Sequence, residues 1–181
     1  MTKIYDATAG CPFATRTFLL DTNVWIYIDG GDPRPHFAAY SDFYGSLRRS
    51  DNVIVVNDYV LGEFFNRACR TAYSFLFDDD PEMRLLKSRR RNDADFRMQV
   101  ETVRDTCLNI LDECKYEPAP VPSNVYHALL TEAAQGHLDL SDLVIREHCK
   151  VQGHILVTHD ADYANCGLEV VTTNKKLLGM P

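Results

Sequence analysis

The stretch Phe18-Leu19-Leu20-Asp21-Thr22-Asn23-Val24 decides how this chain of 181 residues folds. The run Thr17 to Leu20 reads as a strand, and its continuously apolar residues indicate that the strand is buried on both faces, as in a parallel sheet. Asp21-Thr22-Asn23 then supplies side chains that can cap a following helix. This arrangement puts a carboxylate at the carboxyl end of a strand, which is where the sites of open α/β sheets form.

Strands and helices alternate along the rest of the chain. Further strands are predicted at Val53–Val56, His154–Val157 and Leu168–Val171. Apolar residues spaced by three and four predict helices over 36–49, from Asn57-Asp58 to about Phe77, from Asp93 to Lys115, over 124–135 with Ser123 as N-cap, and from Asp139 or Ser141 to near Gly153. A turn of helix is expected from Asp160 to Ala164, and residues 1–16 are expected to form an irregular arm. The alternation predicts an α/β fold with a parallel sheet.

Length and composition restrict the class of protein. The chain is 45% hydrophobic and 25% charged, which excludes disorder throughout. Its length fits one domain with a sizeable core. No apolar run approaches the roughly 20 residues of a membrane-spanning helix, and Met1–Asp6 lacks the apolar core of a signal peptide. We therefore expect a cytoplasmic protein with no membrane partner.

The cysteines and the net charge say less about the class of protein. Six cysteines are scattered without a C-x-x-C pair, which is neither a zinc spacing nor a disulfide framework and suits a reduced cytosol. Cys107 and Cys114 lie on one face of a predicted helix and are interpreted as core residues. A net charge of −7 argues against a broad basic face for nucleic acid, but bound divalent metal would reverse the potential locally.

Three further acidic residues are placed like Asp21. Glu63 lies in the first turns of the helix after the second strand, Asp142 near the start of a later helix, and Asp160 directly after the strand 154–157. Converging carboxylates repel one another, so such a cluster indicates a bound cation. Mg²⁺ and Mn²⁺ prefer oxygen ligands and activate water for phosphodiester hydrolysis. The pattern therefore predicts a metal-dependent nuclease.

In order and context, these motifs resemble the PIN-domain ribonucleases, specifically the small VapC-like toxins of toxin–antitoxin pairs. The resemblance is carried by Leu20–Val24, Glu63, Asp142–Ile145, Gly153 and Ile155–Tyr163. It implies a single PIN-like domain over 1–181, with a three-layer α/β/α fold around a central parallel sheet. Residues 1–16 would be an N-terminal arm, and 78–118 an extended helical segment longer than in the compact toxins.

The resemblance also implies an activity, the hydrolysis of single-stranded or structured RNA in the presence of Mg²⁺ or Mn²⁺. Asp21, Glu63, Asp142 and Asp160 would be catalytic and hold the metal directly or through water. Asp139 and Asp162 are further candidate ligands, and Asn23 and Thr158 would support the ligands by hydrogen bonds. A cognate antitoxin would insert an Arg or Lys toward the carboxylates. Toxins of this type tend to form homodimers, for which the aromatic stripe at 37–47 is a candidate surface, although core packing explains it equally well.

Each residue also has a simpler interpretation. Asp21 could only cap a helix, Glu63 could be solvated, and the spacing of Asp139 and Asp142 is a capping pattern in its own right. Asp162 could cap a turn, and the His159 ring could face water instead of acting as an acid or contacting phosphate. Trp25 and Tyr27 are more simply explained as core residues. The basic run Arg84, Lys87, Arg89, Arg90 and Arg91 could guide RNA, or it could be a solvated helix face.

Three other functions compete with the toxin. A haloacid-dehalogenase-type phosphatase also uses a strand-tip Asp, but it needs a second Asp where this chain has Asn23. A degenerate PIN-like module that binds RNA or protein should have lost site carboxylates, and all four are present. A non-toxin PIN nuclease in RNA processing would share the site, and the absence of a small neighbouring open reading frame would favour it.

Overall fold

A computed structural model describes residues 1–30, 34–119 and 121–179 of the chain. Six strands form one sheet in the order β1-β6-β5-β2-β3-β4, and all neighbouring strands run parallel. The strands are β1 (Lys3–Asp6), β2 (Thr17–Leu20), β3 (Val53–Val56), β4 (Lys115–Tyr116), β5 (Ile155–Val157) and β6 (Glu169–Thr172). Helices flank the sheet, which confirms the α/β class and the three-layer α/β/α arrangement.

The helices lie between the parallel strands along the chain, except for the last one, which follows β6. They are α1 (Thr22–Asp29), α2 (Pro35–Arg48), α3 (Asp58–Leu76), α4 (Leu86–Asn92), α5 (Ala94–Glu113), α6 (Ser123–Ala133), α7 (Leu140–Gln152) and α8 (Lys175–Leu178). Short 3₁₀ helices span Ala7–Ala9 and Ala161–Asn165. None of the described helices is long and apolar enough to cross a membrane.

The sheet is centred on β2, as its apolar sequence predicts. Leu20 lies opposite Val157 of β5, and Leu19 lies opposite Val55 of β3. Phe18, Leu19 and Leu20 are all fully buried. Because β2, β3 and β5 are parallel, their carboxyl ends come together at one edge of the sheet.

Two strands were not expected from the sequence. Residues 3–6 form β1, which pairs with β6, so the expectation of an irregular arm over 1–16 is wrong for this part. Lys115 was expected to be helical, but it begins β4 beside β3. Both strands lie at sheet edges and are polar or half-exposed, so they lack the hydrophobic run by which a central strand is recognised.

The predicted helices are present, with small changes at their ends. Ser123 is the first residue of α6 and makes no capping hydrogen bond, while Pro122 occupies the N-cap position, so the predicted cap at Ser123 is wrong. The basic run forms the separate helix α4. The glycine- and proline-rich sequence at 30–35 and the prolines at 118, 120 and 122 predict helix breaks. Of these residues, Gly31, Asp32, Pro33 and Pro120 lie outside the described part of the chain.

The main core lies between the sheet and its helices, and a smaller cluster lies between α6 and α7. Cys107 and Cys114 belong to the main core, as expected. The aromatic stripe of α2 is also buried there, through Phe37, Tyr40 and Phe43. Core packing therefore accounts for this stripe, and it does not offer a surface to a second copy of the chain.

Candidate active site

The site is built on the adjacent carboxyl ends of β2 and β5. The backbone N–H of Asp21 donates to the carbonyl of Val157 at 2.9 Å. This bond extends the pairing of the two strands by one residue and brings Asp21 beside the Thr158–Asp160 segment. The convergence predicted for these two stretches is therefore present in the structure.

Asp21 is almost completely buried, with 3% of its surface exposed. Its Oδ1 accepts the backbone N–H of Thr22 at 2.7 Å, so it does cap α1. Its Oδ2 accepts the Thr158 hydroxyl and the Asn23 amide, both at 2.6 Å. The capping interpretation is correct but incomplete, because the second carboxylate oxygen is held by two further donors.

Asn23 and Thr158 join the two strand ends into one network. The Asn23 Oδ1 accepts the backbone N–H of His159 at 3.0 Å, and the Thr158 hydroxyl oxygen accepts that of Asp160, also at 3.0 Å. The positions of Asp21 and Asp160 are thus fixed by the same pair of side chains. This is the geometry expected of residues that orient ligands.

Glu63 reaches the site from the second turn of α3. Its Oε2 accepts the Thr22 hydroxyl at 3.1 Å, and its Oε1 lies 3.5 Å from Arg67. Thr22 was not recognised as a site residue in the sequence, although its position directly after Asp21 offered a signal. It links the two carboxylates through α1.

Asp142 lies in the first turn of α7, where Tyr163 donates to its carbonyl at 3.3 Å and lies 3.4 Å from its Oδ1. Asp139 occupies the N-cap position, but its side chain makes no capping hydrogen bond. The capping pattern suggested by their spacing is therefore not formed. Asp160 caps the 3₁₀ helix through the N–H of Asp162, whose own side chain is exposed.

The acidic side chains act strongly on one another. Burial, then the charges of Glu63 and Asp160, raise the pKa of Asp21 to about 6, against the pull of its hydrogen bonds from Thr158 and Thr22. Burial, then Asp21, Glu63, Asp160 and Asp139, raise the pKa of Asp142 to about 7. The cluster thus contains the four predicted residues and Asp139. Such a set holds its negative charge at a cost that a divalent cation would offset.

The donor set fits Mg²⁺ or Mn²⁺, because it consists of carboxylate and hydroxyl oxygens. Its carboxylates do not form a group of three with ligand atoms within 4.8 Å of one another; among the described residues such a group occurs only at Glu117, His148 and His154.

The Glu117–His148–His154 group is better explained by hydrogen bonds than by a metal. Asn57 caps α3 through its Oδ1, so its Nδ2 faces the His148 Nδ1 at 3.1 Å and must donate to it. The proton of neutral His148 is then on Nε2, which would otherwise be the metal-binding nitrogen. Glu117 accepts from His154 at 2.8 Å and from Lys115 at 2.7 Å.

A cavity of about 220 Å³ adjoins Asp160 and is lined by Asn23, Tyr27, Arg67 and His159. The His159 ring is half-buried, and its Nδ1 lies 2.9 Å from the Tyr40 hydroxyl. One nitrogen of the ring is therefore engaged by Tyr40, while the ring also borders the cavity. Burial, then His36, lowers the pKa of His159. Trp25 is buried as expected, whereas Tyr27 is half-buried and lines this cavity, which the sequence did not indicate.

The basic run does not act as one unit. Arg89 is bound by both oxygens of Asp79, at 3.0 and 2.7 Å, and its guanidinium lies 3.9 Å from the centre of the Phe77 ring. Arg84 pairs with Glu82, and the Arg91 Nε donates to the Lys87 carbonyl. Arg84, Lys87 and Arg90 line a groove beside α3. Arg89 has a structural role that the sequence did not reveal.

Several carboxylates lie together at the carboxyl edge of this parallel sheet and interact with one another. This arrangement is expected of hydrolases that act through acidic residues. The PIN domain family model matches residues 18–167, and the chain belongs to this family. The resemblance to this family seen in the sequence is therefore confirmed. PIN domains are nucleases. No curated protein is similar enough in sequence to be counted as a relative.

Solved structures show the same fold at low sequence identity. In VapBC2 from Rickettsia felis, bound to a DNA fragment from its promoter, the matching chain is 17% identical, with a TM-score of 0.54 over 86% of this chain and 96% of that chain. The match in FitAcB from Neisseria gonorrhoeae is 15% identical, with a TM-score of 0.53 over 86% and 97%. The match in DNA-bound VapBC from Salmonella typhimurium is 11% identical, with a TM-score of 0.51 over 88% and 99%.

Proposed function

We propose that this PIN domain is an endoribonuclease that depends on Mg²⁺ or Mn²⁺ and acts as the toxin of a toxin–antitoxin pair. The observation that carries the proposal is the convergence of Asp21, Glu63, Asp142 and Asp160, where burial and then the mutual repulsion of the carboxylates raise the pKa of Asp21 and of Asp142. Carboxylates kept together at this cost favour metal-dependent catalysis over a binding module. The fold shared with VapBC and FitAcB chains supports the toxin.

In this mechanism the four carboxylates hold the metal directly or through water, and Asp139 is a further ligand candidate close to Asp142. When bound, the metal orients the phosphate and lowers the pKa of the attacking water. Asn23 and Thr158 keep the Asp21 Oδ2 in place, and Thr22 does the same for Glu63. Asp162 is exposed and contributes least.

The antitoxin is the proposed protein partner. The solved VapBC and FitAB assemblies include complexes bound to DNA. For this chain we propose a partner that places an Arg or Lys side chain against the carboxylates, where a cation would replace the charge of the metal. A homodimer remains a prediction, for which the buried stripe of α2 no longer provides the surface.

The test is cleavage of a mixed RNA pool with Mg²⁺ or Mn²⁺ by wild type, Asp21→Asn and Asp142→Asn. Asp142→Asn is the cleaner change, because an amide at Asp21 would point hydrogens at the donors Thr158 and Asn23. We expect both variants to lose at least 100-fold in rate, since transition-state electrostatics contribute terms of this size. Exposed Asp51→Asn is the matched control and should keep full activity.

Equal cleavage by wild type and both variants would contradict the catalytic assignment, as would no cleavage by wild type with either metal. The second result would transfer support to a PIN-like module that binds RNA or protein without cutting it. Metal-dependent cleavage of DNA alone would keep the nuclease and overturn the RNA substrate.

A further inference from the structure

A groove of about 650 Å³ lies between α3 and the segment 81–90. Four of its lining residues are cationic, Arg70, Arg84, Lys87 and Arg90, and the acidic one is Glu82. Glu82 pairs with Arg84, so the groove keeps an excess of positive charge. In a chain with a net charge of −7, this is a local reversal of the overall potential.

Residues of the groove and of the carboxylate site lie along one face of α3. Glu63, Asn66, Arg67 and Arg70 follow one another at helical spacings of three and four, so they line the same face. Arg67 lines the cavity beside Asp160, and Asn66 and Arg70 line the groove. Seven residues of helix separate Glu63 from Arg70, a distance of about 10 Å.

The cations of the groove have few partners within the described part of the chain. Arg70 and Lys87 are exposed and make no ion pair with a described residue. The Nε of Arg90 is buried without a hydrogen-bond partner there, and its guanidinium lies 5.5 Å from the centre of the Phe65 ring. Arg89, by contrast, is fully engaged by Asp79.

We propose that this groove binds the phosphodiester backbone of the RNA away from the cleaved bond, with Arg70 and Lys87 as its main phosphate contacts. The proposal rests on the proposed ribonuclease function and names the path of its substrate. An RNA cut at the carboxylates must extend beyond them, and Arg67 and Arg70, three residues apart on α3, lead from the site towards the groove. A distance of about 10 Å is short enough for a few nucleotides of a single strand to span.

The negative charge of the site also supports this path for the RNA. The cluster of carboxylates repels a polyanion, and cations close to it raise the local concentration of substrate and its rate of association. An acidic protein segment could also occupy a basic groove. RNA is favoured because the cations begin at Arg67, which borders the site itself, and continue away from it on one surface.

The test compares Arg70→Gln/Lys87→Gln with Lys3→Gln/Arg97→Gln, a control pair that removes two exposed charges outside the groove. Both pairs are placed in the Asp142→Asn background, and binding of a fluorescent single-stranded 12-mer RNA is measured by anisotropy across a range of NaCl concentrations. We expect the groove pair to weaken binding at least tenfold at 100 mM salt. The slope of log K against log salt should fall by about 1.4, for two lost phosphate contacts at about 0.7 each.

The same pairs in the active protein separate binding from chemistry. The groove pair should raise KM for the 12-mer with kcat nearly unchanged, and should cut a dinucleotide as wild type does, because the cleaved phosphate is the only one that a dinucleotide has. Equal salt slopes for the two pairs, with RNA cleavage intact in wild type, would overturn the groove and leave the nuclease standing.

Two other results would also overturn the proposed groove. The first is a groove pair that loses affinity for polyglutamate but keeps its affinity for RNA, which would assign the groove to a protein partner. The second is equal loss of RNA binding by both pairs, which would indicate a diffuse charge effect. Failure of wild type to cut or bind RNA at all would instead remove the ribonuclease on which the groove depends.

Discussion

Asp142 is a carboxylate whose surroundings oppose its charge. It lies partly buried in the first turn of α7, and burial together with four other acidic side chains raises its pKa to about 7. An acid whose pKa is higher in the folded state binds protons on folding, so its contribution to stability falls as pH rises from about 4 to about 7. At neutral pH without metal, the site therefore destabilises the fold that carries it.

Asp142→Asn should stabilise the protein in the presence of EDTA at pH 8, because it removes a charge that is repelled. We expect an increase of about 3 °C in Tm, measured by circular dichroism, for about 1 kcal/mol in a chain of this size. At pH 4 the gain should be much smaller, because Asp142 is then protonated in the folded state and partly protonated in the unfolded state as well. Asp51→Asn, on the surface, should change Tm at neither pH.

Adding Mn²⁺ at pH 8 completes this experiment. A ligand that binds only the folded state raises its stability, so the Tm of wild type should increase with metal concentration and that of Asp142→Asn should increase much less. A wild-type protein that is more stable than the variant at pH 8 in EDTA would contradict the electrostatic destabilisation proposed for Asp142. Equal responses to metal would remove Asp142 from the ligand set.

At this scale, the sequence was most informative where the chain itself fixes the geometry. Asp21 and Asp160 each come after a buried strand of a parallel sheet, so their placement at the same edge could be predicted from the strand pattern. Whether Asp139 or Asp162 also lies close to the other carboxylates could not, because it depends on how α7 and the 3₁₀ helix are oriented over the sheet. The contact between His159 and Tyr40 could not be predicted either, because it depends on how α2 packs on the sheet.

Among the elements, α3 has one residue that both caps its start and joins it to α7. Asn57 is fully buried, caps α3 through Val60, and donates to His148 of α7. Burial, then His154, lowers the pKa of His148. A histidine with a lowered pKa contributes stability above about pH 6.5 that is lost as the pH falls.

Asn57→Ala should lower the free energy of unfolding by about 2 kcal/mol, because it removes the cap and leaves a buried ring nitrogen without a donor. Asn57→Asp keeps the cap but presents an acceptor to His148, which should then take up a proton. Its deficit relative to wild type should be smaller at pH 6 than at pH 8. Urea unfolding at both pH values measures this, and a constant deficit would exclude the proposed hydrogen bond.

The sequence predicted the buried strands and helices well and the exposed ones poorly. β2, β3 and α5 carry long apolar patterns and lie where expected. β1 and β4 were missed because an edge strand gains its partner from the rest of the sheet and needs no hydrophobic run of its own. The helix α4 lacks a buried face, so only tertiary packing against α5 and the Asp79–Arg89 pair identifies it.

For the molecule as a whole, the cysteines report on the integrity of the core. Cys11 and Cys166 are partly exposed, whereas the other four are buried. Burial raises the pKa of the Cys107 thiol to about 11 and that of the Cys114 thiol to about 12. Because the thiolate is the reactive form, these core thiols should be inert while the protein is folded.

Titration with Ellman's reagent should label two thiols per chain quickly under native conditions and all six after unfolding in guanidinium. The slow phase should follow the loss of circular dichroism, since the buried thiols become accessible when the core opens. Replacing Cys11 and Cys166 with serine is the matched control and should abolish the fast phase. Rapid native labelling of more than two thiols would contradict the described core.

The hydrogen bond between Asp21 and Thr158 joins residues 137 positions apart, and this separation affects the protein during its own synthesis. A ribosome that has made the first two thirds of the chain has released Asp21 and Glu63, but not the segment that completes the constellation. The nascent polypeptide should therefore be harmless until its last strands emerge and pair. For a proposed toxin, translation itself provides a delay in which a separately made inhibitor can accumulate.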